Sequence, residues 1–214
     1  MEPAVWPLYD LRITTPRLEL RLPDLDRLSE LAAVAAAGVH DADRMPFVAA
    51  WTDVSPEERA RATFQHLLGT VAGWTPRKWS LGLAVSWEGK VVGRQDLGAT
   101  DFAVTGEAHT GSWLGQAYQG RGIGTEMRAA VLHLAFEGLG ARSMTSGAMA
   151  DNARSLRVSE KLGYRPDGRE VLSVRGEARD HRRLRLDRAG WEAHRTVPVE
   201  LHGLEPSLAL FGLK

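Results

Sequence analysis

Leu18-Glu19-Leu20-Arg21-Leu22 alternates apolar and polar residues, the period-two pattern of a half-buried strand. After Pro23-Asp24, the residues Leu25, Leu28, Leu31 and Ala35 recur at helical spacing, and Gly38 supplies a stop. Residues 39–51 follow neither period and read as a loop. Ser55-Pro56-Glu57-Glu58 opens a second helix, with a hydroxyl cap, proline at the first position and a glutamate able to close a capping box. That helix is expected to run to about Val71. Two strands follow, about Trp79–Trp87 and Val91–Leu97, joined through Glu88-Gly89-Lys90 as a hairpin. A turn-rich stretch near Thr100–Glu107 leads to a strand at His109–Leu114.

Beyond it, Ile123, Met127, Ala130, Val131 and Leu134 form one helical stripe, closed by Gly138 or Gly140. A strand over Ser143–Ala148 and a helix over Asn152–Leu162 come next, the helix stopped by Gly163. Strands near Glu170–Val174 and Arg179–Leu186 lead to a short helix capped by Asp187. Strands that meander first and later alternate with helices predict an α/β (α+β) fold, a mixed, mostly antiparallel sheet with helices on both faces. The expected organisation is one domain over residues 1–195 and a tail over 196–214. That tail is too apolar to be free, so it is expected to pack on the domain or on a partner subunit in a homodimer.

Composition narrows the chemistry. The chain of 214 residues has no cysteine, which excludes disulfides, cysteine-ligated metals and thiol catalysis. Basic and acidic residues balance at 27 each, so neither nucleic acid nor an anionic membrane is an expected partner. Residues 165–188 carry eight arginines against five acids, read here as alternating charges on solvated strands. His40, Asp41 and Asp43 lack the spacing of a calcium loop, and no metal is expected. No segment approaches the apolar length of a membrane span. The opening residues show no basic region followed by an apolar core, and a cytoplasmic location is expected.

The most informative stretch is Gln119-Gly120-Arg121-Gly122-Ile123-Gly124-Thr125, between a strand and an amphipathic helix. Absent side chains let a ligand reach the backbone, and the free N–H groups of a first helical turn favour an anion. A Walker loop is excluded because no Gly-Lys-Ser/Thr follows, and the dinucleotide fingerprint fails because Thr125 stands where glycine is needed. What remains is Gln-x-x-Gly-x-Gly. One strand later comes Asn152-Ala153-Arg154-Ser155-Leu156-Arg157-Val158-Ser159-Glu160-Lys161-Leu162-Gly163-Tyr164.

Together with Gly111-Ser112-Trp113-Leu114 and the opening Ile13-Thr14-Thr15-Pro16-Arg17-Leu18, these motifs resemble the GCN5-related N-acetyltransferases (GNAT superfamily). The closer resemblance is to the branch containing ribosomal-protein N-terminal acetyltransferases. The resemblance implies an N-acyltransferase that moves an acyl group from acetyl-CoA, or succinyl-CoA, to a primary amine by direct attack in a ternary complex. It assigns the CoA pyrophosphate to the backbone of Gln119, Gly120, Arg121, Gly122, Ile123, Gly124 and Thr125. The pantetheine falls to the strand ending at Trp113 and Leu114 and to Asn152. Arg121, Arg154 or Arg157 is expected to meet the 3′-phosphate.

Many relatives carry a tyrosine seven residues after the asparagine, where this chain has Ser159; in the ribosomal branch a serine three residues on takes the thiolate side, matched by Ser155. Where that branch often has a glutamate base, this chain has His109, with Glu107 and Asp101 as substitutes. A carboxylated acyl group needs a cation, for which Arg44 and Arg94 are candidates. The departures at Ser159 and His109 leave open a non-catalytic acyl-CoA-binding or regulatory module, and a structural dimerising protein remains a third reading.

Overall fold

The computed structural model describes residues 5–214. The opening Met1–Ala4, part of the stretch read for a secretory signal, lies outside them. Among the described residues nine strands form a single sheet in the order β7-β8-β6-β5-β4-β3-β2-β1-β9. In chain order these are β1 (Arg12–Thr14), β2 (Leu18–Arg21), β3 (Lys78–Trp87), β4 (Lys90–Thr100), β5 (Glu107–Leu114), β6 (Ser143–Met149), β7 (Arg165–Val174), β8 (Glu177–Asp187) and β9 (Glu200–His202). The helices are α1 (Leu25–Ala37), α2 (Pro56–Ala72), a single turn α3 (Phe102–Thr105), α4 (Ile123–His133), α5 (Ala153–Lys161) and α6 (Arg188–His194).

The local signals act as the chain reads. The Asp24 side chain accepts from the Arg27 amide at the head of α1, and Ser55 and Glu58 form a complete capping box on α2. Glu88 and Gly89 both take positive φ, as a tight hairpin turn between β3 and β4 requires. Alternation in β3 then separates the two faces. Leu81, Leu83 and Val85 join the core built with α4, α5 and α6, whereas Ala84 packs with Leu28, Leu31 and Leu67 of α1 and α2.

All pairings are antiparallel except β5 with β6. That parallel pairing holds only at Glu107↔Ser143, Ala108↔Met144 and His109↔Thr145. Beyond it β5 continues to Leu114 while β6 follows β8, so the two strands splay apart.

The C-terminal segment belongs to the fold rather than hanging from it. β9 pairs with β1, and a 3₁₀ segment, Glu205–Phe211, covers an aromatic cluster. Phe211 is fully buried between Trp74 and Trp79, at ring separations of 5.4 and 4.9 Å. The Trp74 indole N–H donates to the Leu210 carbonyl at 2.7 Å. Of the two expected supports for these apolar side chains, the domain or a partner, it is the domain on which they pack here.

Candidate active site

The glycine turn leaves a row of unengaged donors. The N–H groups from Gly120 to Gly124 find no acceptor among the described residues, and only at Thr125 and Glu126 do amides return to the Gly122 carbonyl, at 3.1 and 3.2 Å. Gly120 and Gly122 sit at φ +76° and +79°, conformations that side chains disfavour, so the turn that exposes these groups depends on glycine. With the α4 dipole behind them, they form an anion cradle.

The cradle is braced from a distance. Glu126, 7% exposed, accepts from the Thr15 hydroxyl at 2.6 Å and from Arg17 Nε at 2.7 Å. Arg17 Nη1 donates to the Arg121 carbonyl at 3.1 Å, placing a cation against the turn. Neither Arg17 nor Glu126 was singled out from the sequence as a site residue, because the pair joins positions 109 apart.

The other expected residues divide by how they are engaged. The Gln119 side chain is a brace: Nε2 donates to the carbonyls of Val39 and Leu114, and Oε1 accepts from Arg154 at 2.9 Å. Arg121 lies over the Trp87 ring at 5.4 Å. Asn152 caps α5 by accepting from the Ser155 amide at 3.2 Å, which leaves its amide N–H₂ free to donate. The Ser155 hydroxyl is partly exposed, and Ser159 is buried with its hydroxyl donating to the Ser155 carbonyl.

On β5 the side chains alternate. Ser112 and Leu114 point toward α4; His109 and Trp113 lie on the α1–α2 face, opposite Gly98 and Arg94 of β4. The His109 ring lies over Gly98. Although the residue reaches solvent, this partial desolvation pulls its imidazole below the ordinary histidine value, opposed by the Asp96 charge. Asp96 itself is pushed above the usual carboxylate range by burial, against the pull of Arg94, whose Nε donates to it. That pairing engages Arg94, one of the two cations considered for a carboxylated acyl group. The substitutes for His109 are engaged elsewhere: Glu107 pairs with Arg185, and Asp101 with Arg77 at 2.8 Å.

On the same face an aromatic run, His40–Phe47–Trp51–Trp113, links the α1–α2 loop to β5 at ring separations of 5.6, 5.2 and 5.8 Å. Beside it lies a cavity of about 540 Å³, lined by His40, Thr52, Asp53, Arg59 and Arg175 among others. Arg175, at the β7–β8 turn, clasps Asp53 with two nitrogens and ties that hairpin to the loop. His40 bonds Thr52 and the Asp41 carbonyl. Among the described residues no group of three histidine or acidic side chains is placed to hold a metal, and no helix is long and apolar enough to cross a membrane.

Comparison with known proteins agrees with this geometry. Residues 17–165 match the acetyltransferase (GNAT) domain. A curated relative, "Probable N-acetyltransferase YjcK" of Bacillus subtilis (strain 168), is 28% identical over 111 residues, 51% of this chain and 61% of that protein. The chain therefore aligns with less than two thirds of that relative's length. Among solved structures, Mycobacterium smegmatis RimJ in complex with CoA-disulfide superposes with a TM-score of 0.70 at 19% identity, covering 95% of each chain. A GCN5-related N-acetyltransferase from Brucella melitensis gives 0.67 at 25% identity, covering 86% of this chain and 81% of that one. A family match over most of the sequence, a splayed β5–β6 pair and a glycine turn with bare N–H groups at a helix start lead to one conclusion: this chain belongs to the GNAT acetyltransferase family.

Proposed function

We propose that the protein is an acyl-CoA-dependent N-acyltransferase acting on a primary amine. One observation carries the reading: an unpaired edge of β5, from Thr110 to Leu114, runs directly into a cradle of free N–H groups at α4. An anion cradle continuous with an open strand edge suits a ligand with a diphosphate at one end and an amide-bearing arm at the other. The Asn152 amide stands on the far wall of the same gap, with its donor unengaged. Acetyl-CoA fits these features directly. A succinyl donor remains compatible, with Arg44 the cation of the two that is not paired with Asp96.

Direct attack requires the amine to lose a proton and the oxyanion to meet a donor. His109 is the proposed base, and an N–H of β5 near Trp113 and Leu114 the proposed oxyanion donor. Because partial desolvation holds the His109 imidazole low, the neutral form that accepts a proton persists below the ordinary midpoint of ~6.5. The acidic limb of kcat/KM is accordingly expected to lie below pH ~6.5, and His109→Gln to remove that limb together with about 10²-fold or more of the rate. An unchanged limb in His109→Gln assigns the base elsewhere.

Thiol release measured with an amine panel tests the function itself. Turnover on some primary amine is expected. Tight acyl-CoA binding without turnover on any amine instead marks a non-catalytic binding module. Asn152→Asp separates the two roles of that residue, since a carboxylate still caps α5 but cannot donate. Its melting temperature is expected to stay near that of the parent while the KM for acyl-CoA rises about tenfold. Equal KM values assign Asn152 to capping alone.

A further inference from the structure

Arg128 is 5% exposed and has no ion-pair partner among the described residues. It projects from the middle of α4 into the space between β5 and α5. Nη1 donates to the Ser159 hydroxyl at 2.8 Å and Nη2 to the Ser112 hydroxyl at 3.3 Å. Nε is buried without any partner. Ser112 lies on the unpaired stretch of β5, and Ser159 on the helix that opens with Asn152 and Ser155. The guanidinium thus bridges the two walls of the gap assigned above to the acyl-CoA arm.

A buried guanidinium with no counter-charge is costly, and such groups are ordinarily paired. It remains protonated in proteins all the same. The titratable group facing it is Tyr164, whose phenol is pushed up by burial and so stays neutral near pH 7. The hydrogen-bond partners Ser112 and Ser159 are neutral too. The nearby acid of its own helix, Glu126, is already engaged by Arg17 and Thr15. The protein therefore maintains an uncompensated positive charge beside the gap, and the reaction itself produces a matching anion there.

We propose that Arg128 is the cation that stabilises the departing CoA thiolate, acting as a positioning residue through the Ser112 hydroxyl, while Ser159, whose own proton is given to the Ser155 carbonyl, holds the guanidinium in place. The inference rests on the acyl-CoA reading above. In the step concerned, the amine lone pair forms the C–N bond at the thioester carbonyl. The C–S bond breaks with its electron pair passing to sulfur, and the amine proton passes to His109 or to water. The alternation of β5 fits this division. His109 lies on the α1–α2 face and Arg128 on the α4 face, which under this proposal puts the amine on the first side and the sulfur on the second. Arg128 thereby offsets the missing tyrosine: electrostatic stabilisation of the thiolate replaces protonation by a phenol at position 159. The Ser155 hydroxyl remains available as a direct donor to sulfur.

The test is the titration of the bound CoA thiol, followed by thiolate absorbance, with desulfo-CoA as the thiol-free control. In the wild-type protein the midpoint is expected below about pH 7.5, against ~8.5 for an ordinary thiol. In Arg128→Met, which fills the same space without charge, the midpoint is expected to return to the ordinary value while desulfo-CoA still binds. Arg128→Lys, which keeps the charge, is expected to retain a lowered midpoint. An ordinary midpoint in the wild-type protein overturns the proposal without reference to any variant, and so does an equal midpoint in wild type and Arg128→Met. Failure of the wild-type protein to bind desulfo-CoA overturns the coenzyme reading and this proposal together, an outcome distinct from binding with an unshifted thiol.

Discussion

Gly122→Val is expected to remove measurable CoA binding in calorimetry at concentrations that saturate the parent, while the protein still folds. Gly122 sits at φ +79°, and a Cβ there meets Arg17 Nη2 at 3.3 Å. A β-branched residue in this region costs about 1–2 kcal/mol or somewhat more, a few degrees of melting temperature for a domain of this size. The binding loss is larger because two effects add. The side chain occupies the approach to the amides, and relief of the strain turns the N–H groups away from a common point. Gly124→Val provides the control for strain: its φ is ordinary, and the nearest atom to an added Cβ is Leu114 Cδ1 at 3.8 Å. It is expected to weaken CoA by about tenfold or more with little change in melting. Unchanged affinity in both variants removes the phosphate role from the turn.

The second large effect concerns stability. A chain ending at Arg195 is expected to be insoluble or unfolded, irrespective of its oligomeric state. The deletion strips β9 from β1 and uncovers Trp74 and Trp79. Removing the Phe211 side chain by substitution with alanine costs about 3–5 kcal/mol, a large share of the ~5–15 kcal/mol that typically separates folded from unfolded. Loss of the whole segment adds the Leu210 hydrogen bond and the apolar contacts of Leu201 and Leu204 against Gly138. Phe211→Ala measures the smaller version in urea. A melting temperature within a degree of the parent, or a soluble folded chain ending at Arg195, is incompatible with the packing described here.

The glycine turn, the capping box of α2, the Asn152 cap and the order of the main strands were all legible in the sequence, because each is set within about five residues. The first strand beside Pro16 and the Gln-x-x-Gly-x-Gly motif needed only local spacing and a family resemblance. Other features leave no such local signal. The segment after Thr196 reads as a tail, because nothing within it announces that β1 is the edge it completes. The stretch near Thr100–Glu107 contains a turn of helix held by the positive φ of Asp101 and Gly106, too short to leave a periodic trace. Gln119 reads as a ligand residue, yet its amide side chain is occupied by Val39, Leu114 and Arg154, from three separate elements.

Arg128 illustrates the boundary most clearly. It was not singled out from the sequence, where an arginine next to Met127 on the apolar stripe of α4 is the available signal. That signal alone does not distinguish a buried cation from one that reaches past the helix to solvent. By itself, then, the sequence determined most of the secondary elements, their order along the chain and the glycine turn ahead of α4, since capping, periodicity and glycine conformation act over one or two turns of chain. Only the tertiary structure decided where the sheet opens, which face carries His109 and which carries Arg128, and what the C-terminal residues cover. Those outcomes depend on hydrogen bonds and burial between residues from 16 to 136 positions apart, for which no local pattern exists.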